Sequence, residues 1–398
     1  MNKEYFYIEP YTYVSLCRDK ILLYNTLSFK YILKDIEDDL TKEFMKLIIN
    51  DEGRVIELEK KFKDNKLLMF IDECRSLFIG DIHFGTKPYI RPFKSYVNID
   101  IGQLKNVFAL TKIFSFVNEL NIIIGGETIC KNKHLLDGGY KQFLFPINSK
   151  ETIDYKLLEK SIKEINFNLN RVSLVGNIFR YKEISNLLGL FKGISCDIYI
   201  CYLDIDDINI VIKLLSKNIK IIVLVDNNYD IILLNRKINL LKENNILFEV
   251  RYIVETESDL EYLNKNKLDI EVDENIIPYY NNNLEFFKNN VFIDESDILE
   301  EKYQAEDIFI KEHINKNYFG KLFVRENGEI FSNFNFQKIG KLGDDWKIIL
   351  GENLLEDSCW FKKRNTEPCS NCLYNLLCPS ISNYELVIGM TNLCNVIE

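Results

Sequence analysis

Four cysteines lie close together near the end of the sequence, and their spacing is typical of a metal site. They are Cys369, Cys372, Cys378 and Cys394, within CSNCLYNLLCPSISNYELVIGMTNLC. A CxxC pair places two thiolates on one tight turn, and the two later thiolates complete a set of four sulfurs. Such a set suits tetrahedral zinc or a [4Fe-4S] cluster, and the spacing does not choose between them. Four unligated thiols are the alternative, which is disfavoured because neighbouring bare thiols oxidise easily.

The other cysteines show no comparable clustering. In a reducing compartment, isolated cysteines behave as small buried apolar residues rather than as disulfide partners. Cys359 precedes Trp360 and is a candidate spare ligand, although a buried thiol beside an aromatic ring is the interpretation that we favour. The isolated cysteines are Cys17, Cys74, Cys130, Cys196 and Cys201.

Hydrolytic and nucleotide-binding chemistry find little support in the sequence. His83, His134 and His313 have no serine or cysteine partner that the sequence reveals, so no hydrolytic triad is predicted. The phosphate-binding pattern GxxxxGK[ST] does not occur.

A group of acidic residues follows a predicted strand in CYLDIDD. Asp204, Asp206 and Asp207 are of the type that binds hard metal ions. Acidic residues are also favoured at the start of a helix, because they accept its free N–H groups and complement its dipole. We predict the helix-capping role.

Composition limits the class of protein. The chain has 398 residues, 47% of them apolar, which is enough for two or three domains with real cores. Its net charge of -10 argues against a general grip on nucleic acid. No apolar run approaches the length that spans a bilayer, and the start, MNKEYFYIEPYTYV, lacks secretory-signal features. We therefore expect no membrane partner and a cytoplasmic location.

The first part of the chain, residues 1–95, is predicted to combine short strands with helices. Aromatic and β-branched residues in YTYVSLCRDKILLYNTLSFKYIL indicate two or three strands with turns at CRDK and NTLS. The segment DDLTKEFMKLIIN, residues 38–50, has apolar residues on one helical face. Strands followed by helices predict a small independent α+β unit with a winged-helix-like plan. The predicted apolar face comprises Leu40, Phe44, Leu47 and Ile48.

Four apolar residues of this unit allow two interpretations. They either line a groove that accepts an added peptide strand or fill the core of the unit itself. The sequence leaves both open. These residues are Tyr11, Tyr13, Leu23 and Tyr24.

The middle part, residues 96–280, is predicted to be an α/β body. Near-continuous apolar strands alternate with helix-sized segments such as DYKLLEKSIKEI and INIVIKLLSKN, which indicates a parallel sheet and a partial or complete (β/α) barrel. Any site of such a barrel is expected at the carboxyl ends of its strands. The predicted strands are YVNIDIG, NIIIGG, QFLFPI, RVSLVG, DIYICYL, IKIIVLVD, LFEVRYIV and LDIEVD.

The last part, residues 281–398, is predicted to be a separate small domain. It begins with the Asn-rich YYNNN and the acidic DESDILEEKYQAED. The segment FGKLFVRENGEIFSNFNF predicts a hairpin that turns at residues 326–328.

The tail resembles a known cysteine-rich extension. GEIFSNFNFQKIGKL and the later CWFKKRNTEPCSNCLYNLLCPSISNYELVIGMTNLC are similar to the SPASM extension of radical SAM peptide-maturing enzymes, which usually carries two auxiliary [4Fe-4S] clusters. The resemblance implies that the four terminal cysteines hold the second cluster. Ser382, Ser332 and Asn333 stand where ligands of the first cluster are expected, which implies that this cluster is lost.

The radical SAM resemblance lacks its defining cysteines. Such enzymes open their barrel with CxxxCxxC, which leaves one iron free for S-adenosylmethionine, and this sequence contains no such triplet. The chain therefore resembles the pseudo-radical-SAM SPASM proteins that accompany a radical SAM maturase and a precursor peptide in Bacteroidales. NIIIGGET is similar to the GGE motif of radical SAM barrels, which implies a vestigial ligand site at Gly125, Gly126 and Glu127; a Gly-Gly turn is also common after any strand.

The resemblance implies a non-catalytic accessory role in the maturation of ribosomally made peptides. The expected partners are a radical SAM maturase, its precursor peptide, or both, with one [4Fe-4S] cluster and no cleavage of S-adenosylmethionine. Two alternatives remain open. In one, the remaining cluster relays electrons or acts on substrate as part of an enzyme; in the other, zinc takes the place of the cluster and staples a scaffold.

Overall fold

The computed structural model describes most of the chain. The described residues are 3–36, 38–51, 54–91, 93, 114–163, 168–205, 218–266, 268, 273–354 and 358–396. The predicted strand YVNIDIG, residues 208–217 of the predicted helix INIVIKLLSKN, and Asp206 and Asp207 lie outside this range. No helix in the described range is long and apolar enough to cross a membrane.

The first part of the chain forms two small antiparallel sheets and two helices. The elements are β1 (Glu4–Ile8), β2 (Thr12–Cys17), β3 (Lys20–Asn25), β4 (Tyr31–Asp35), α1 (Asp39–Asn50), β5 (Val55–Glu57), α2 (Asn65–Ser76) and β6 (Gly80–Phe84). One sheet has the order β5–β1–β6 and the other β2–β3–β4. The predicted strands and the predicted helix are confirmed. Helix α1 begins where the Asp38 carboxylate accepts the N–H of Thr41.

The apolar face of α1 is slightly different from the prediction. Phe44 and Ile48 are buried as expected, together with Thr41 and Met45. Leu47 is 41% exposed, so its assignment to the buried face was wrong. Leu47 lies at the edge of the apolar stripe, where one residue step rotates a side chain by about 100°.

The β2–β3–β4 sheet is buried on both faces. Ile21 and Leu23 face the core that the first part of the chain forms with α1 and α2. Tyr13, Leu22 and Tyr24 face the tail instead, where they pack against residues near the terminal cysteines. The first part is therefore not an independent unit, because one face of its sheet is covered by the end of the chain.

A nine-stranded sheet forms the main body. Its strands are β7 (Glu119–Gly125), β8 (Arg171–Gly176), β9 (Ser195–Cys201), β10 (Ile219–Val225), β11 (Phe248–Val254), β12 (Glu274–Pro278), β13 (Lys321–Val324), β14 (Glu329–Phe331) and β15 (Lys338–Lys341). The order is β12–β11–β10–β9–β8–β7–β13–β14–β15; strands β7 to β13 are parallel to one another, and β14 is antiparallel to both β13 and β15. Five predicted strands, NIIIGG, RVSLVG, DIYICYL, IKIIVLVD and LFEVRYIV, are confirmed as β7 to β11.

The last part of the chain completes the same sheet. Strand β13 lies parallel to β7, and the predicted hairpin is confirmed as β13–β14. Gly328 in its turn has φ +82°, a left-handed conformation that glycine adopts without strain. Residues 269–272 of the predicted strand LDIEVD lie outside the described range, and strand β12 begins at Glu274. Among the described residues the sheet is open, with β12 and β15 at its edges.

The sheet has helices on one face and a more varied cover on the other. The helices of the body and tail are α3 (Lys133–Gln142), α4 (Tyr155–Lys163), α5 (Ile184–Leu190), α6 (Ile231–Glu243), α7 (Glu257–Lys265), α8 (Leu284–Asn290), α9 (Glu295–Glu300), α10 (Ala305–His313), α11 (Trp346–Ile348) and α12 (Asn383–Ile388). Helices α4, α5 and α6 pack on the face that carries Leu120, Ile122 and Ile124, which we call the helix face. The other face, which carries Ile123 and Ile253, is called the opposite face.

One predicted strand is wrong. Gln142 ends helix α3, and residues 143–147 of QFLFPI form no strand. Phe145 and Ile147 are buried against the opposite face of the sheet instead. A short apolar run has the same composition in a buried strand and in a buried connecting segment, so periodicity could not separate them.

Candidate functional site

The four terminal cysteines line one small cavity. Its volume is about 20 Å³, which is the space of roughly one water molecule. Cys369 begins a single helical turn, Cys372 follows it, and Cys378 comes after the next turn. Cys394 arrives from beyond α12 and is held by a parallel bridge to Ile293. Separate segments thus bring four sulfurs to one place.

The four thiols line the cavity, but their sulfur atoms are not arranged as the ligands of a metal ion. In the described residues, no three histidine, cysteine, aspartate or glutamate side chains are close enough to hold a metal ion. Burial raises the pKa of Cys369 and Cys372 above the usual thiol range, and it raises the pKa of Cys378 to about 12. The donor set of four sulfurs suits zinc or an iron–sulfur cluster, either of which binds the thiolate form.

Arg364 places a buried positive charge beside these thiols. Its Nη1 lies 3.9 Å from Cys369 Sγ, 2.5 Å from Glu385 Oε1 and 3.0 Å from the carbonyl of Thr391. Nε donates to the carbonyl of Pro379 at 2.8 Å. The guanidinium opposes the effect of burial on the pKa of Cys369 and Cys378. A fixed cation at this position would stabilise thiolates and a negatively charged metal centre.

Amide groups also point at the sulfurs and at the turn that carries them. The backbone N–H of Tyr374 lies 3.5 Å from Cys372 Sγ, and Asn392 Nδ2 lies 3.4 Å from Cys394 Sγ. Asn375 Nδ2 donates to the carbonyl of Cys369 at 2.6 Å and to that of Arg364 at 2.9 Å. N–H groups near sulfur orient metal-binding thiolates and tune the centre that they hold.

A fifth cysteine reaches the same loop from the other end of the chain. Cys17, at the end of β2, donates its thiol to the carbonyl of Asn371, between Cys369 and Cys372. No local pattern associates Cys17 with the tail, because Cys17 and Asn371 are 354 residues apart in the chain. Contact between them is a product of the tertiary fold alone.

Cys359 is a buried thiol, as we favoured. It is fully buried, and its backbone N–H donates to Ser332 Oγ at 3.2 Å. Burial raises the pKa of its thiol beyond the usual range. Cys74 and Cys196 are buried as well, which confirms the interpretation of the isolated cysteines at these positions.

The carboxyl ends of the parallel strands are occupied by the chain itself. A loop, residues 128–132, follows β7 and crosses the ends of β9, β10 and β11. Asp204 accepts from Thr128 Oγ1 and from the N–H of Ile129, and Asp226 accepts the N–H of Lys131 at 2.8 Å. We call this segment the crossing loop. Asp204 therefore anchors a loop; the helix that it was predicted to cap lies outside the described residues, so its helix-capping role stays a prediction.

Apolar side chains fill the space beneath the crossing loop. Leu135 of α3, Phe145 and Ile147 are buried against the carboxyl half of the opposite face. Cys130 of the crossing loop is hydrogen-bonded to Cys201 at the end of β9. The region where a site was expected from the strand order is thus packed with residues of this chain.

Gly125 and Gly126 have a structural reason to be glycine. Both have positive φ, +80° and +87°. A Cβ on Gly125 would lie 2.4 Å from the carbonyl oxygen of Glu151 and 2.6 Å from Cβ of Glu326, so close packing excludes a side chain. Glu127 is exposed. Their role as a vestigial ligand site stays a prediction.

The residues at the positions where the resemblance implies a lost cluster have structural hydrogen bonds. Ser382 caps α12, where its hydroxyl accepts from the N–H of Glu385. Asn333 donates to the side chain of Asn383 at 2.7 Å and accepts the N–H of Asn335 at 2.8 Å.

The three histidines lie on separate elements: His83 on β6, His134 on α3 and His313 on α10.

Comparison with known proteins does not identify a relative. No model of a protein family matches the chain, and no curated protein is significantly similar to it. Inference about function therefore depends on the residues themselves.

Proposed function

We propose that this protein is a non-catalytic accessory protein of a radical SAM peptide maturase, with a tail that one metal centre holds together. The observation that carries the proposal is the convergence of Cys369, Cys372, Cys378 and Cys394 on one cavity beside Arg364. A [4Fe-4S] cluster is the favoured occupant, and zinc is the alternative. The SPASM-like tail, the radical SAM-like body and the winged-helix-like first part belong to the same proposal.

Two features support a role without radical chemistry. The sequence has no CxxxCxxC triplet to hold an open iron. The crossing loop and the apolar side chains beneath it occupy the carboxyl ends of the strands, where parallel sheets usually bind their ligands. A large cofactor would have to displace both.

A groove between the first part and the tail supports the binding of a precursor peptide. Its volume is about 1240 Å³, and its walls come from β2 and from the loop that carries Cys372. Strand β2 is an edge of its sheet among the described residues, and an edge strand can pair with an added strand. Tyr13 lines this groove, whereas Leu23 and Tyr24 are completely buried and do not.

Metal analysis tests the central part of the proposal. Protein purified without oxygen is expected to contain iron and sulfide, or zinc, at one centre per chain. The variants Cys372→Ser and Cys394→Ser should lose it, whereas the matched control Cys359→Ser, which alters a buried thiol outside the cavity, should keep it. Wild-type protein without iron and zinc, or a control that loses metal equally, would refute the metal centre.

Peptide titration tests the binding role. A fluorescent copy of the precursor encoded beside the gene is titrated into the full chain, because the first part depends on the tail for burial. Ser15→Trp places a bulky side chain in the groove and should weaken binding. Ser28→Trp, in the exposed turn between β3 and β4, should not. No binding by the wild-type chain, alone or with the maturase, would contradict the peptide-binding role.

One observation favours electron relay as a second candidate. Cys372, Cys378 and Cys394 are only partly buried, so a cluster held there would lie near the surface and within reach of a docked enzyme. The visible absorption of the protein, recorded before and after dithionite and with the maturase present, tests this role. A chromophore that dithionite does not bleach would exclude the relay and leave the scaffold.

A further inference from the structure

A second cavity lies at the other end of the sheet. It has a volume of about 310 Å³, at the lower end of the range for small-molecule sites, and lies between the opposite face and residues of the tail. Glu119, Arg171 and Lys321, the first residues of β7, β8 and β13, line it. The cavity is therefore at the amino ends of the strands, away from the crossing loop.

Strand alternation explains why this end is polar. Successive side chains of a strand point to opposite faces, so Glu119, Asn121 and Ile123 of β7 share the opposite face. Arg171, Ser173 and Val175 do the same on β8. In both strands the residues nearest the amino end are polar and the third is a buried aliphatic. The opposite face thus changes from polar to apolar along its strands.

Three cations line the cavity, and each is already near a carboxylate. Arg171 pairs with Asp197, Lys321 with Glu119 at 3.2 Å, and Arg251 with Glu249 at 2.6 Å. In each pair the carboxylate holds the cation from one side and so orients it, as carboxylates behind a binding group commonly do. The arrangement fixes the positive groups without removing them from the cavity.

Arg251 has donors left for a ligand. Its Nε binds Glu249, and its guanidinium lies 5.4 Å from the centre of the Tyr199 ring. A guanidinium carries five N–H donors in a planar fork that matches a carboxylate. The side chain is 27% exposed, and that of Lys321 is 31% exposed, so solvent reaches both groups.

An acceptor without a partner lies in the same wall. Asn121 is 1% exposed, and among the described residues its Oδ1 has no hydrogen-bond partner. A buried acceptor without a donor costs about 1–3 kcal/mol, so such a group indicates a missing N–H or O–H donor. Glu119 lines the cavity beside it and also accepts hydrogen bonds.

Aromatic rings supply an apolar part of the cavity lining. Tyr140 and Phe143 of the α3 region, and Phe323 and Phe334 of the tail, line the cavity. Phe334 lies 5.2 Å from Phe323 and 5.5 Å from Tyr140, measured between ring centres. Rings at these distances give a rigid surface suited to an apolar or aromatic side chain.

We propose that this cavity binds a carboxylate that carries an adjacent N–H group and an apolar side chain. The cations receive the carboxylate, Asn121 Oδ1 accepts the N–H, and the rings contact the side chain. The C-terminal residue of a peptide and an N-acylated amino acid share this chemistry. Binding here requires neither the four cysteines nor a partner enzyme, so its test is separate from those of the proposed function.

Calorimetry with N-acetyl-L-phenylalanine and the full chain tests this inference. The acid is expected to bind, and N-acetyl-L-phenylalanine amide, which lacks only the charge, is expected to bind about tenfold or more weakly because charge-assisted hydrogen bonds to the cations are lost. No binding of the acid, or equal binding of acid and amide, would refute the proposed site.

Two variants place the binding in this cavity. Arg251→Gln leaves Glu249 with Lys220 and Asn275 as partners, so the strand should stay folded, and affinity should fall about tenfold or more. Lys321→Gln is the second variant, which is needed if the first does not fold. Arg236→Gln, on the exposed side of α6, is the matched control and should bind normally. Unchanged affinity in both cavity variants would overturn the assignment.

A last comparison distinguishes the two sources of the carboxylate. A pentapeptide that ends in phenylalanine is titrated with a free and with an amidated C terminus. Binding of the free peptide alone identifies a peptide C terminus as the ligand class. Binding of the N-acetyl amino acid with no binding of either peptide identifies a small molecule instead. Both results retain the carboxylate site, whereas binding of both peptides equally would refute it.

Discussion

Glu249 has the most strongly perturbed carboxyl group of the charged end of the sheet. Burial alone would raise its pKa, but hydrogen bonds from Arg251, Lys220 and Asn275 outweigh burial and lower the pKa to about 2. The side chain is nearly completely buried, and all three donors lie within 2.8 Å of its oxygens. In the folded protein it therefore stays ionised in acid that protonates an ordinary glutamate, whose pKa is about 4.3.

This carboxyl group predicts a defined acid sensitivity. A folded pKa below the unfolded value adds stability that is present above about pH 4.3 and is lost as the pH falls toward 2. Glu249→Gln should lower the free energy of unfolding at pH 7 by about 2 kcal/mol. The free energy of unfolding of this variant should also change less between pH 5 and pH 2 than that of the wild type. Denaturant titrations at each pH measure both. The exposed control Glu285→Gln should follow the wild type. Parallel pH profiles for all three proteins would contradict this role.

At the scale of single residues, the sequence predicted the clustering of the four terminal cysteines but not what surrounds them. The spacing of the four cysteines carries its own signal, because ligands close in sequence must meet in space. Arg364, Glu385 and Asn375 had no such pattern and were missed. A run of three basic residues, Lys362 to Arg364, that ends five positions before the CxxC pair was the available hint. Contacts such as that of Cys17 with Asn371 depend on the complete fold and have no local trace.

At the scale of elements, the crossing loop distinguishes this sheet from an open binding site. Each of two carboxylates holds its own part of the loop: Asp204 binds Thr128 and Ile129, and Asp226 binds Lys131 and Asn132. Loops stay ordered over buried surface only when their N–H groups find acceptors. The strand ends supply these acceptors.

Hydrogen exchange of single amides tests whether Asp204 and Asp226 hold separate parts of the crossing loop. Asp204→Ala should accelerate exchange at Ile129 and leave Lys131 protected, whereas Asp226→Ala should accelerate exchange at Lys131 and leave Ile129 protected. Each substitution leaves donors without an acceptor, at about 1–3 kcal/mol per buried donor. Exchange at Val172–Gly176, in the centre of the sheet, serves as the internal control. Equal acceleration of both amides in either variant would show that the loop opens as one unit.

The more completely an element is buried, the more clearly the sequence predicted it. Strands β7 to β11 were evident because both faces of a parallel sheet are covered, which leaves a continuous apolar run. The same run in QFLFPI produced a wrong prediction, since Phe145 and Ile147 are buried by a segment that packs on the sheet without joining it. The position of the open cavity was missed for a related reason. Strand order favours the carboxyl ends, and only the packed structure shows that the chain has filled them.

At the scale of the whole molecule, the two ends of the chain depend on each other. Leu373, Tyr374 and Leu377, which lie between the metal-site cysteines, pack on Tyr13 and Tyr24 of the first part. The Tyr24 hydroxyl also accepts a hydrogen bond from the backbone N–H of Tyr303, 3.0 Å away. A metal centre that orders this loop would therefore order one face of the β2–β3–β4 sheet as well, because ligation free energy becomes folding free energy.

Removal of the metal should consequently loosen a region far from the centre in sequence. After chelation of the metal, amide exchange is expected to rise in residues 366–378 and in β2 and β3, while β8 to β10 keep their protection because their cores are separate. Cys394→Ser should reproduce this pattern without a chelator, and Cys359→Ser should not. A rise confined to the tail would mean that the first part holds its sheet unaided, and a uniform rise would mean that the metal stabilises the molecule as a whole. A metal centre that sets the shape of the groove predicts faster exchange in β2, β3 and the cysteine loop together. The other two outcomes do not fit such a centre.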